Sequence, residues 1–192
     1  DQKAQLRSGF DGLFSSIKQL ARDNGVSFSV VCAGDRNMAH RAYVNAKKAG
    51  DAAVLLVDSE EAFPSEGQAR ERVQFLTNRD KWDLSGSDAN CVHLMVQCTE
   101  TWVVADPDTL ANFYGANFAR NKLPSRINLE EEPKKDVFEK LQLATRNSSK
   151  GEYAKIRHAK ILLAKIKIEN VRQRCPHFGY LHEFLGKLVQ PQ

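Results

Sequence analysis

The most suggestive chemistry in this chain lies at Asp58-Ser59-Glu60, directly after the apolar run of residues 52–57. In an open parallel sheet, ligands bind outside the carboxyl ends of the strands. Asp58 and Glu60 stand two residues apart, so an extended segment points both to one side. Two hard oxygen ligands on one side suit Mg²⁺ or Mn²⁺, which keeps several waters and bridges to substrate phosphates. The plainer alternative is a helix N-cap or a solvated acidic loop. Glu100 is the second acidic candidate. It follows the apolar stretch 91–97 and reaches the same edge if that stretch neighbours 52–57. Otherwise it complements the dipole of a helical first turn.

Cationic candidates surround these acids. Arg36 follows Gly34-Asp35 at another expected strand end and points to the same edge, or pairs with a nearby carboxylate. Lys155, Arg157 and His158, with Tyr153 just upstream, form a phosphate grip or an exposed basic helix start. Lys134 and Lys135 after Pro133 contact phosphates or cap a solvated face. His93 lies within an expected strand, where a lone histidine is usually a core residue.

Charge is unevenly spread. The whole chain of 192 residues has a formal net charge of +4, with 28 Lys+Arg and 24 Asp+Glu. Residues 1–133 carry 15 basic and 19 acidic side chains, a net of −4. Residues 134–174 carry 12 basic and 4 acidic, a net of +8. An acidic front and a basic back point to a polyanion partner, DNA or RNA, held through its phosphates.

Other chemistries lack their residues. There is no Gly-x-Gly-x-x-Gly, no Gly-x-x-x-x-Gly-Lys-Ser/Thr, no Gly-x-Ser-x-Gly and no His-Glu-x-x-His. Cys32, Cys91, Cys98 and Cys175 are scattered, which fits reduced thiols in a cytoplasmic protein better than disulfides or zinc. No apolar run approaches the roughly 18–20 residues of a membrane span.

These residues need a scaffold. Leu6, Phe10, Leu13, Phe14, Ile17, Leu20 and Ala21 recur at helical spacing, and Gly25 follows as a stop. Strands are expected over 27–33, 52–57 and 91–97, with helices over 36–49 and 68–78. Short helical pieces follow at 99–105 and 107–114, then a loop over 115–133. Beyond it the pattern is helical: 134–146, about 155–168, 169–174 and 178–188. The fold class is therefore α/β, a mostly parallel sheet with helices on both faces. We divide it into a core over 1–114 and a helical, basic lobe over 115–192.

Several stretches carry a family likeness. They are Leu55-Leu56-Val57-Asp58-Ser59-Glu60, His93 through Trp102, Ala105-Asp106 and Phe113-Tyr114-Gly115. Further on come Leu123-Pro124, Lys134-Lys135-Asp136-Val137, Ala144-Thr145 and Gly151-Glu152-Tyr153-Ala154-Lys155. Their order resembles a Toprim-like family of uncharacterised bacterial proteins, encoded beside ATPases in defence-type loci and related to overcoming-lysogenization nucleases. The resemblance implies a Toprim-like Rossmannoid core and a metal pair at Asp58 and Glu60. In that family a first strand ending in Glu-Gly precedes the helix at Leu6, and its Glu is the acid/base residue. We expect that strand upstream of Asp1, because a parallel sheet needs it to begin the crossover.

The leading expectation is a Mg²⁺- or Mn²⁺-dependent nuclease cleaving DNA or RNA, the effector of an anti-phage system with an ATPase partner. Asp58, Glu60 and Glu100 would be its catalytic acids. Arg36, Lys134, Lys135, Lys155, Arg157 and His158 would hold nucleic acid. A non-catalytic subunit that binds an ATPase or nucleic acid is the alternative. A plain nucleic-acid binder using the basic lobe is a third reading.

Overall fold

The computed structural model describes residues 2–64 and 66–191. It is an α/β fold in which helix dominates. The helices are α1 (Gln2–Leu13), α2 (Ser15–Asp23), α3 (Arg36–Lys48), α4 (Ala69–Asp80), α5 (Thr99–Val104) and α6 (Pro107–Tyr114). The series continues with α7 (Lys134–Thr145), α8 (Lys155–Leu163), α9 (Ile168–Arg174) and α10 (Pro176–Leu188). The strands β1 (Leu55–Asp58) and β2 (Val92–Met95) pair in parallel, with Asp58 opposite Met95. The crossover between them carries α4, the connection parallel strands require.

Two apolar cores divide the chain. One joins α3, β1, α4 and β2 through Tyr43, Leu55, Val57, Leu76, Val92 and Leu94. The larger joins α1 and α2 to the later helices through residues such as Phe10, Trp102, Leu141, Leu162 and Phe178. The ring of Trp102 meets Phe10 and Phe178 edge to face, as a core anchor does. The first two helices thus pack with the basic C-terminal helices, across the boundary drawn at residue 114.

That packing depends on two glycines. A Cβ at Gly9 would lie 2.9 Å from the Lys160 backbone, and one at Gly12 would lie 2.5 Å from Ala164 Cβ. Only a bare backbone lets α1 approach α8 so closely.

The structure corrects several expected elements. The periodic stretch from Leu6 to Ala21 is two helices, because Phe14 leaves the helical conformation at ψ 20°. Residues 27–33 form no strand, and no backbone–backbone hydrogen bond reaches them among the described residues. Their burial still alternates: Phe28, Val30 and Cys32 are half-buried against the larger core, whereas Val31 is exposed. The strands at 52–57 and 91–97 are shorter, each four residues. The last helix begins at Pro176, a residue suited to a first helical position. All four cysteines are free. No helix among the described residues is long and apolar enough to cross a membrane.

Candidate functional site

The carboxyl end of β1 is where the two cores meet. Asp58 closes the strand, and the chain then runs on beside β2. Ser59 N–H donates to Met95 O at 3.0 Å, and Glu60 N–H donates to Gln97 O at 2.9 Å. Glu60 takes a left-handed backbone with φ 67°. Simple strand alternation therefore stops at Asp58, and the two acids do not project as an extended pair. The Glu60 carboxylate accepts a hydrogen bond from Lys134 Nζ. Burial raises its pKa, but Lys134, then Arg36 and Arg79, outweigh that and hold it below the usual range.

Asp58 is the least satisfied of the acids. Its carboxylate receives one long hydrogen bond, 3.4 Å from the Thr99 hydroxyl. Burial pushes its pKa up to about 6. Lys155 opposes that rise, whereas the Glu100 and Glu60 charges add to it. The charged form of this carboxylate is thus only partly compensated for its burial.

Glu100 does reach this edge. It sits in the first turn of α5 and is fully buried. Tyr153 OH donates to Glu100 Oε1 at 3.0 Å, and Lys155 Nζ lies 3.5 Å from Oε2. Tyr153 and Glu100 stand 53 residues apart in the chain, so no local spacing marks the pair. Burial lowers the Lys155 pKa, yet Glu100 and Asp58 more than restore it. Cys98, between these acids, has its thiol pushed up to about 12 by burial and by Glu100 and Asp58, which disfavours the thiolate.

Gln97 brings the basic lobe to this edge. Its side chain accepts from Lys134 N–H at 3.0 Å and donates to Glu130 O at 3.2 Å. That anchors the first residue of α7 above β2. Nothing in the spacing of the sequence marks Gln97 for this role. A cavity of about 760 Å³ opens beside it, lined by Glu60, Glu100, Lys134, Lys135, Phe138 and Lys155 among others.

The remaining candidates lie elsewhere or do other work. Arg36 pairs with Asp80 at 2.5 Å and covers the Trp82 ring, so it joins α3 to the end of α4. Lys135 is exposed, 3.7 Å from Glu139. His158 corrects the expected phosphate grip. It is buried, with Nδ1 accepting from Ala154 N–H at 3.2 Å and lying 2.9 Å from Tyr114 OH. Burial, then Arg157 and Lys150, lower its pKa, so it packs as a neutral ring. Arg157 is exposed beside it. His93 is a core residue whose pKa falls to about 3 through burial and then Arg72.

Do these residues fit a divalent cation? The donors are hard carboxylate oxygens, and Asp58 is short of partners. Glu60 and Glu100 are already paired with lysines. No group of three or more His, Cys, Asp or Glu arranged to hold a metal occurs among the described residues. The set fits the Mg²⁺ pattern of one or two carboxylates completed by waters and substrate phosphates. It does not form an all-protein cage.

The class defined by this fold is a helix-rich α/β domain with a carboxylate–lysine edge. The chain belongs to the family described as a domain of unknown function, DUF4276, whose model matches residues 5–186. No curated protein and no solved structure matches it.

Proposed function

We propose that this chain is a divalent-metal-dependent nuclease with a Toprim-like core. It would serve as the effector of a bacterial anti-phage system, working with an ATPase partner in the cytoplasm. The observation that carries the reading is Asp58: a carboxylate at a parallel strand's end, poorly hydrogen-bonded, with acids and lysines converging on it. Asp58 and Glu60 would hold Mg²⁺ or Mn²⁺. The bound ion would supply a water activated at neutral pH and charge neutralisation at the phosphate. Glu100, fixed by Tyr153 and Lys155, orients the edge. Lys134 and Lys155 would hold phosphate oxygens, since an ammonium has three donors and each makes one pair here.

Calorimetry with Mn²⁺ tests the metal step. Wild type should bind one ion and Asp58→Ala none. Absence of binding by wild type, with nucleic acid present, would sink the reading.

A second reading has its own support. Lysine pairing of Glu60 and Glu100 suits a non-catalytic subunit whose acidic edge is internally neutralised. It predicts co-purification with an ATPase and no Mn²⁺ binding.

A further inference from the structure

The cavity beside the carboxylate edge has one wall of a different kind. Phe138 lies on α7 one turn after Lys134, so both face the same side of that helix. Its ring is half-buried and meets Tyr153 edge to face at 6.0 Å, which fixes it in place. Pro133 and Ala62 extend the apolar wall. The floor is polar, with Lys134 and Lys155 each paired to an acid. Both lysines open helices: α7, whose first N–H is taken by the Gln97 side chain, and α8, whose N-cap residue Ala154 makes no side-chain bond. The positive ends of two helices thus accompany the two ammoniums.

We propose that this cavity takes one unpaired nucleotide. Its base lies against Phe138 and Pro133, and a flanking phosphate rests on Lys134 and Lys155. The substrate is then a single strand, a strand end or an extruded base rather than an intact duplex. This rests on the nucleic-acid part of the reading above and not on the metal.

Three properties of the cavity favour that occupant. Its volume of about 760 Å³ lies within the range of ordinary ligand pockets and has room for a nucleotide. An aromatic face beside ammonium groups is the combination that holds bases of single strands. Glu61 and Glu131, both exposed, stand among the residues lining it. A duplex carries one negative charge per roughly 1.7 Å of axis, so its continuous phosphates would meet these acids. A single inserted nucleotide can place its phosphate on the lysines alone.

The test is binding of the full chain to short labelled oligonucleotides in EDTA, read by fluorescence anisotropy without turnover. Single-stranded DNA, single-stranded RNA and a blunt duplex of the same sequence are the three probes. At least one single strand should bind about tenfold or more tightly than the duplex, which must first open. Phe138→Ala should weaken single-strand binding by about 5- to 150-fold, the range of one base–aromatic stack. Phe138→Tyr should restore it, and Phe138→Leu should not. Thermal melting of each variant separates loss of stacking from loss of fold. Equal or tighter duplex binding would overturn the inference, as would Leu binding as well as Phe in folded protein. Neither result touches the metal reading. Conversely, single-strand preference without any Mn²⁺-dependent cleavage would overturn the nuclease and leave this site standing.

Discussion

Two acids of this site, Asp58 and Glu100, are held differently from its lysines, whereas Glu60 is nearly as exposed as the Lys134 it pairs with. Asp58 and Glu100 stand at the end of a strand and in the first turn of the helix after its neighbour, where short side chains leave little freedom. Glu100 has a side-chain exposure of 1%. Lys134 and Lys155 come from helix starts in the basic region, on long stems, with exposures of 35% and 52%. Burial makes Asp58 costly to keep ionised, and Glu100 is fixed by Tyr153 and Lys155. The lysines are partly exposed counter-ions on long, flexible stems. A rigid negative edge with movable positive partners suits a site that takes a cation and a phosphate together.

The largest expected effect breaks the rigid side. Asp58→Asn should lower any metal-dependent cleavage by about a thousandfold or more, since it removes the charge that holds the ion. The same variant should be more stable without metal. A carboxyl whose folded pKa is raised from 3.8 to about 6 makes folding less favourable once it ionises. That penalty is absent below the unfolded pKa and complete above the folded one. At pH 7.5 in EDTA, Asn should therefore raise unfolding stability by about 1–3 kcal/mol, measured by urea denaturation.

Next comes the mobile side. Replacing Lys134 and Lys155 together with Met should tighten Mn²⁺ binding about tenfold, because partly exposed ammoniums repel the ion through a screened interaction. It should also weaken oligonucleotide binding and make the log–log salt slope shallower by about 1.5–2. Anisotropy titrations at several salt concentrations read both changes. Unchanged Mn²⁺ affinity would mean that the lysines are not the acids' counter-ions in solution.

A smaller effect concerns pH. Ionised Asp58 binds metal and its protonated form does not, so Mn²⁺ affinity should fall by up to about tenfold per unit below about pH 6. Calorimetry across that interval would show it. The smallest is Tyr153→Phe, which removes one hydrogen bond to buried Glu100. It should cost about 1–2 kcal/mol of stability by denaturant melting, with oligonucleotide affinity little changed.

Local pattern made much of the frame legible. The apolar runs before Asp58 and Glu100 mark both strands, and their adjacency puts both acids on one edge. Helical spacing and end signals place α3, α4 and the C-terminal helices to within a few residues. Pairing was the part hidden from spacing. Residues 27–33 keep an alternating pattern, yet no neighbouring backbone completes a ladder there. His158 looks like part of a basic cluster until Tyr114, 44 residues earlier, packs on it. Lys134 is equally silent about Glu60, 74 residues away. Contacts this distant depend on how the lobe docks, and no local periodicity encodes that.

The most direct measurement is cleavage of labelled single-stranded DNA and RNA by the purified chain, alone and with the proposed ATPase partner, in Mn²⁺ and in EDTA. Products should require Mn²⁺ and disappear with Asp58→Asn. Cleavage that persists in EDTA or in that variant, or no cleavage of either strand, would contradict the proposed nuclease.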